Sequence, residues 1–465
     1  MYCQLDALSR CFPSSIRRAL NELPDTLDDT YERTLQMIPK QKSQHAHRLF
    51  QCLVAAIRPL RVEELAEIFI IEFDADAACN LVGDWRPENP EEAVLSACST
   101  LVSVIDDEDG KIVQFSHFSV KEFLTSDRLR MSGIGNNFHY YIPLDDAHTT
   151  LARTCLMVLL QLDKIMDRRR LETFPLAFYA ARHWVDHAKF ENVTSRIQDV
   201  MEHLFDPKKS HFGTWIWIHD VDWRFQRNLA GRPSRPQATP LYYAALCGFF
   251  GLAKCLIVTH GEDVNARCGR HGSPLNAASR FGHLHVARLL LDHGADVNPR
   301  NKAGHIPLQS ACDGGHLEVM QLLLEHGADV DMRYATAFGT LLHQASVLGQ
   351  TEIVHLLLQH NADVNAGGLW NRTALHLASL GGHTKVARLL LEYGADVNAK
   401  DRYSNTPLEY ATRSQRDDIV QLLLYHDTKK AGGFLFSPQL AATIEDTVTQ
   451  LIALCVPVLV YAMLS

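Results

Sequence analysis

The chain has 465 residues, 46% of them hydrophobic, and a formal net charge of −9 at pH 7. That length and hydrophobicity leave room for several domains with substantial cores and argue against disorder throughout, while the acidic balance argues against general affinity for nucleic acid or anionic membrane, which needs clustered Lys and Arg. Eleven cysteines, an odd number with no C-x-x-C pair and no metal-ligand spacing, read as reduced thiols of a cytosolic or nuclear protein, with the cytoplasm as the expected setting.

No secretory leader is expected, because Met1 to Cys11 has no apolar core. From Pro13 to Ile38 the apolar spacing predicts helix, with Leu20, Leu23, Leu27, Tyr31, Leu35 and Ile38 on one side and Pro24 and Pro39 as punctuation. A second helix is expected from about His45 to Ile57 and a third from Val62 to Ile70, with a polar loop around Asp84 to Pro90 and a short helix after it. Thr100 to Ile105 and Lys111 to Phe115 then flank Asp106 to Gly110, a hairpin signal with Asp109 and Gly110 at the turn. Three helices and a hairpin are the order of a winged helix. A DNA-binding use is disfavoured, because the third helix carries Glu63, Glu64 and Glu67 and the wing carries Asp106, Asp107, Glu108 and Asp109, all repelling phosphate.

The segments Leu27 to Leu35 (LDDTYERTL), Arg58 to Phe69 (RPLRVEELAEIF) and Phe115 to Ser126 (FSHFSVKEFLTS) resemble the winged-helix region that comes after the NTPase of fungal NACHT-type, NOD-like receptor proteins. That region is similar to the GPI inositol-deacylase winged helix, a label that implies no deacylase chemistry. The resemblance covers roughly residues 1–130. It implies that the histidine matching His117 contacts a nucleotide phosphate in the related receptors. The only Gly-Lys pair here, Gly110 and Lys111, belongs to the hairpin, so no P-loop is present to cradle phosphate. The chain is therefore not expected to hydrolyse ATP or GTP by itself, and His117 is read as a core or boundary histidine with at most a vestigial phosphate contact. The chain begins close to where the NTPase of such proteins ends, which suggests a fragment or a shortened paralogue whose partner would be a separate NTPase subunit.

Residues 140–230 read as a helical spacer: Leu151 to Leu162 is strongly apolar, and Phe174 to His187 and Asn192 to Leu204 are amphipathic. The spacer resembles the corresponding region of the same fungal proteins. Arg168 to Arg170, the only basic run, reads as a solvated helix end, and Trp215, Trp217 and Trp223 read as a core that seals a domain boundary. Ala230 to Ala238, rich in Gly, Pro, Ser and Arg, reads as a linker or the start of a first repeat.

From residue 239 one frame recurs six times, starting at Thr239, Ser273, Ile306, Thr340, Thr373 and Thr406, with intervals of 34, 33, 34, 33 and 33 residues. A fixed period of this length means a stacked repeat. In T-P-L the hydroxyl can cap a helix whose first position tolerates Pro. Small residues such as Ala244 and Ala245 let a neighbouring helix come close, and Gly248, Gly282, Gly315, Gly349 and Gly382, nine residues after each start, end the first helix in a left-handed turn. The second helix has its apolar face at Val286, Leu289 and Leu290 in one copy and at Val386, Leu389 and Leu390 in another, and G-A-D-V-N closes the unit.

Together, T-P-L-H, G-H, L-L-L and G-A-D-V-N at this period resemble the ankyrin repeat over Thr239 to about Asp427, and an array of six repeats over residues 239–428 is expected. Two departures fit terminal caps: Gly261, Glu262 and Asp263 replace G-A-D in the first copy, and Gln415 replaces the helix-ending glycine in the last. The expected fold is thus mainly α: winged-helix domain, helical spacer, ankyrin solenoid. In the tail, residues 429–465, Leu451 to Leu464 is an apolar run of fourteen residues broken in shape by Pro457. That is short for a membrane span, so a poorly packed tail is preferred and a tail anchor is the alternative.

No G-x-S-x-G, H-E-x-x-H or paired-Cys metal site occurs. No catalytic residue, metal or cofactor is expected. Among 24 histidines, His283, His316 and His383 sit just after a helix-ending glycine and His343 and His376 occupy the T-P-L-H position, all structural uses implied by the resemblance. Function then has to come from surface, and the resemblance implies a protein partner bound by outward turns and first-helix positions. The free helix positions are read as Tyr243, Ala277, Ser310, Gln344, Leu377 and Tyr410, and the turns offer Arg270, Lys302, Arg333, Tyr334, Phe338, Trp370, Arg402 and Tyr403. Trp, Tyr and Arg dominate interface energies, so a groove on repeats four to six with Trp370 at its centre is expected. The alternative is that Trp370 folds back on its own turn.

Overall fold

A computed structural model describes residues 26–68, 88–96, 100–108, 110–131, 140–162, 171–222, 238–301, 304–333 and 339–430, with no side chain described at 131, 429 and 430. The chain divides into two compact units, residues 1–326 and 327–465. The division falls inside the array, after the second helix of its third repeat.

Among the described residues the first unit begins with a helix over Leu27–Gln36, capped by the Thr26 hydroxyl, which accepts from the Asp29 amide at 3.1 Å. The helix Ser43–Ala55 buries Leu49, Phe50, Cys52 and Val54. Strand β1, Leu60–Arg61, leads directly into the helix Val62–Ile68, and a short helix Pro90–Leu95 precedes strands β2, Val102–Asp107, and β3, Gly110–Phe115. The antiparallel sheet has the order β1-β3-β2, with Leu60 opposite Val113 and Asp107 opposite Gly110. Gly110 takes φ 130°, which suits glycine at the tight turn. The strands of the hairpin thus run closer to its turn than expected on both sides. A helix Phe118–Leu124 and a short turn of helix Asp127–Met131 come next.

The acidic third helix is not the free face that its charges suggest. Glu64 and Glu67 are buried: the Glu64 carboxylate accepts both guanidinium nitrogens of Arg58 and the Arg61 amide, and Glu67 accepts the Leu176 amide at 2.7 Å. Only Glu63 of the three is exposed, because this helix is pinned between the sheet and the spacer. The wing keeps its exposed acidic tip at Asp106, Asp107 and Glu108.

Among the described residues the spacer has helices Leu144–Gln161, Ala177–Ala188, Val193–Arg196, Gln198–Phe205 and His211–Ile218. The amphipathic segment Asn192 to Leu204 forms two short helices that meet at Ile197. A polar chain ties the spacer to the winged helix. The Tyr179 hydroxyl accepts from the Ile57 amide at 3.3 Å and lies 2.9 Å from His187 Nε2, and His187 Nδ1 lies 2.9 Å from His148 Nδ1. Trp184, Trp215, Phe205 and Phe249 form a buried aromatic cluster between the spacer and the first repeat, with Trp184 and Trp215 centroids 5.1 Å apart and edge-on. Trp215 therefore does seal a boundary, Trp217 is half-buried, and Trp223 lies outside the described residues.

Each repeat is a pair of short helices. In the first unit these are Pro240–Cys247 with Phe250–Val258, Pro274–Arg280 with Leu284–Asp292, and Pro307–Gly314 with Leu317–Glu325. In the second they are Leu341–Leu348 with Thr351–Gln359, Ala374–Gly381 with Thr384–Glu392, and Pro407–Arg413 with Asp417–Lys430. The capping expected from T-P-L is present: the Thr239 hydroxyl accepts from the Tyr242 amide at 3.2 Å, and Thr406 with Glu409 forms a full capping box. The helix-ending glycines take φ between 70° and 82°, and Gln415 takes 55° in the last copy. His283 and His383 reach back to the Leu246 and Val347 carbonyls at 3.1 and 3.0 Å, so each of these G-H pairs fastens one repeat to the one before it.

No helix of the described residues is long and apolar enough to cross a membrane. Tyr334, Phe338, Lys302, Arg168 to Arg170 and the apolar tail lie outside the described residues.

Candidate partner-binding site

In the second unit the turn between repeats four and five is built around a one-turn 3-10 helix, Leu369–Asn371, closed by the Gly368 amide donating to the Arg372 carbonyl at 2.8 Å. Trp370 and Asn371 both have φ 57°, in the left-handed region that bulky residues avoid. Holding a tryptophan there costs on the order of 1–3 kcal/mol and persists only where the surroundings over-determine it. Three contacts do so here. The Trp370 carbonyl accepts from the Arg402 amide at 2.7 Å, the Asn371 side chain donates to the Lys400 carbonyl at 3.1 Å, and the Arg372 guanidinium lies 4.6 Å from the Trp370 ring centroid. The indole remains 43% exposed, so it folds back on its own turn only in part.

The next turn is fixed from inside by Asp401, which is buried. Its carboxylate accepts the Tyr403 and Asn405 amides at 2.8 Å each and the Tyr410 hydroxyl at 2.8 Å. Burial raises the pKa of this carboxyl, but the donors from Tyr410, Asn405 and Tyr403 outweigh it and hold it below its ordinary value. Arg372 sits 5.0 Å from the Tyr410 ring centroid on its other flank, with Nε 3.9 Å from the Asp401 carboxylate. The result is a packed stack, Trp370 on Arg372 on Tyr410, that locks two neighbouring turns together. Arg402 and Tyr403 project from it, Tyr403 being 63% exposed.

The turn residues Arg333, Trp370, Arg402 and Tyr403 are all exposed, as is Arg270 in the first unit. The first-helix positions require correction. Tyr243, Ala277, Ser310, Leu377 and Tyr410 are buried and Gln344 is half-buried. Each lies four residues after its frame start, on a helix of seven or eight residues packed against the first helix of the adjoining repeat, which leaves that position no free face. Tyr243 donates to Asp220 at 2.6 Å and Tyr410 donates to Asp401, so their hydroxyls hold the array together from within. The exposed apolar side chains of the first helices come instead near their C-terminal ends, at Leu348 and Leu380.

His117 is also corrected. It is neither core nor boundary: it is exposed and caps the helix Phe118–Leu124, its Nδ1 accepting from the Ser119 amide at 3.3 Å and lying 2.7 Å from the Ser119 hydroxyl. Among the described residues no group of three or more His, Cys, Asp or Glu is placed to hold a metal ion. The described cysteines are free thiols, and burial pushes Cys52, Cys247 and Cys312 up to about 12, which makes them inert at neutral pH. A shallow depression of about 280 Å³ lies on the second helices of repeats four and five, lined by charged groups of both signs including Glu352, Lys385, Arg388 and Glu392. It contains none of the turn aromatics.

Sequence reasoning does not reach two residues central to the site, Arg372 and Asp401. Asp401 carries a signal, since an Asp with Asn four residues on, in a turn, commonly caps its own backbone.

Comparison with known families finds the model described as ankyrin repeats matching residues 217–301, 241–334, 299–368 and 342–431. The model described as the GPI inositol-deacylase winged helix domain matches residues 31–136. Among curated proteins, the chain is 30% identical over 289 residues to the "Azaphilone pigments biosynthesis cluster protein L" of Monascus ruber, covering 58% of this chain and 60% of that protein. The chain thus spans about three-fifths of the length of that relative.

Proposed function

We propose that this chain, which carries ankyrin repeats and a winged-helix domain of the GPI inositol-deacylase type, is a non-catalytic binding module that captures a protein partner on the turns that lead into repeats five and six. The observation that carries the reading is Trp370: a strained backbone, a buried Asp401 and a stacked Arg372 are all spent on displaying a half-exposed indole beside Arg402 and Tyr403. A side chain of this type, rigidly held and partly desolvated, is what interface hot spots are made of. Ankyrin repeats are themselves non-catalytic, and protein capture is their ordinary use. The cytoplasm is the proposed setting, with the buried, unreactive cysteines in its support.

The test is a photo-crosslinking amino acid placed at position 403, with a control at position 388 on a second helix. In the full chain expressed in its own cells, a protein adduct from position 403 and none from 388 supports the reading. Adducts from 388 alone, or from neither position, refute it.

A second reading, a regulatory piece acting with an NTPase of the NACHT type, is favoured by one feature: His117 is exposed on the winged helix, with its Nδ1 held by Ser119. Under that reading the binding of an NTPase subunit depends on nucleotide and is lost in His117→Ala. Binding that ignores both nucleotide and that substitution removes it.

A further inference from the structure

The turns of this array carry one sign of charge on a chain whose net charge is −9. Across residues 266–272, 299–305, 332–339, 366–372 and 399–405 there are eight Lys or Arg and one acidic residue, Asp401. That single carboxylate is buried and engaged by Tyr403, Asn405 and Tyr410, so it cancels nothing at the surface. The closing turns, residues 261–265, 294–298, 327–331, 361–365 and 394–398, show the reverse, with seven Asp or Glu and no Lys or Arg.

The two sets are used differently. In every closing turn one Asp folds its own backbone: Asp263, Asp296, Asp329, Asp363 and Asp396 each accept the amide two residues on, at 2.9–3.1 Å. Those carboxylates have a local structural duty. The cations do not. Among the described residues, Arg267, Arg300, Arg333, Lys400 and Arg402 are exposed and have no carboxylate within ion-pair distance. Unpaired like charges on adjoining turns repel one another and contribute nothing to the fold, so their use lies outside the chain.

From this we propose that the surface formed by Trp370, Arg372, Lys400, Arg402 and Tyr403 recognises an acidic segment of a partner protein, carboxylates reading the Lys400 and Arg402 charges and an apolar side chain seated against the Trp370 indole. The proposal rests on the protein-binding reading above and adds the partner's chemistry. A polyanion such as single-stranded RNA could also use cations with aromatics. It is disfavoured because acidic closing turns recur in five of the six repeats beside these cations, and a long phosphate chain meets that opposing field where a short acidic segment does not.

The test uses the full chain as bait for a displayed library of random twelve-residue peptides, repeated on the variants K400E/R402E and Trp370→Ala, with fluorescence anisotropy of a twelve-residue oligouridine measured alongside. The proposal expects selected peptides enriched at least threefold in Asp and Glu. It expects their affinity to fall at least tenfold on K400E/R402E and with rising salt, and peptides selected on that charge-reversed variant to lose the enrichment. Peptides that depend on Trp370 without acidic enrichment overturn the acidic-partner proposal and leave the protein-binding reading standing. Peptides indifferent to Trp370 overturn both. Oligouridine binding tighter than the selected peptides, and displacing them, overturns the proposal in favour of nucleic acid.

Discussion

At the scale of single residues, the repeat frame works because each recurring position answers one steric or hydrogen-bonding demand. Gly248 shows this most directly. Its φ of 82° suits glycine, and a Cβ built there would stand 2.5 Å from His283 Nδ1, the ring whose other nitrogen donates to the Leu246 carbonyl. Gly294 has the same φ of 82°, yet a Cβ there meets nothing within 4 Å. Gly294→Ala should therefore cost only the left-handed penalty, about 1 kcal/mol, while Gly248→Ala should cost that and the displaced histidine, about 2 kcal/mol or more. Urea denaturation of the two variants separates the terms, and equal losses would show that the histidine contact does not constrain the joint. Tyr410→Phe isolates another such demand. It removes one donor from the buried Asp401 and should cost on the order of 1–3 kcal/mol, because a desolvated carboxylate is left short of a partner. An unchanged urea midpoint would mean that the backbone amides of Tyr403 and Asn405 suffice.

At the scale of elements, histidines buried as neutral groups give the helix pairs and the spacer a common pH response. Burial lowers His187 to about 3 and His283 to about 4, and it lowers His148, His343 and His376 in the same direction. In the unfolded chain these groups take up protons below about pH 6.5, so below that value the unfolded state binds more protons than the folded one. Stability is thus fully present above about pH 6.5 and is lost as pH falls below it, for His187 and His283 by up to about 1.4 kcal/mol per pH unit each as pH falls toward 4. The melting temperature of the full chain should drop steadily between about pH 6.5 and 4.5, and a flat profile would contradict the buried, neutral assignment. The elements themselves are largely legible in the sequence. The glycines, the Thr caps and the recurring spacing are local constraints that residue types state outright. What is not legible is which face of a short helix stays free: Tyr243, Leu377 and Tyr410 occupy positions that the frame leaves unspecified, and only the adjoining helix decides that they are buried. The same holds for Glu64 and Glu67, whose charges read as solvent-facing until Arg58 and the Leu176 amide are placed against them. The aromatic seal is half legible, since Trp215 stands out in a tryptophan-rich stretch and Trp184 does not. Trp184→Ala should cost about 3–5 kcal/mol, and a loss below about 1 kcal/mol would mean that the spacer and the first repeat do not share a core.

At the scale of the molecule, the chain assigns its charge by role: carboxylates close the repeats, cations and aromatics occupy the turns, and the largest buried aromatics join the spacer to the first repeat. Ankyrin repeats and winged helix are both visible in the sequence because each is written in recurring or ordered motifs. The binding surface is visible only in outline, since Trp370, Arg402 and Tyr403 can be named from their types and turn positions whereas Arg372 and Asp401, which hold them, act through packing. The most direct measurement is the affinity of the crosslinked partner, once isolated, for the full chain and for two variants, W370A/Y403A and K385A/R388A. Binding should weaken by about 2 kcal/mol or more in W370A/Y403A with an unchanged melting temperature, while K385A/R388A binds as the natural chain does. Equal affinities for all three, or a loss confined to K385A/R388A, would contradict a binding surface centred on Trp370.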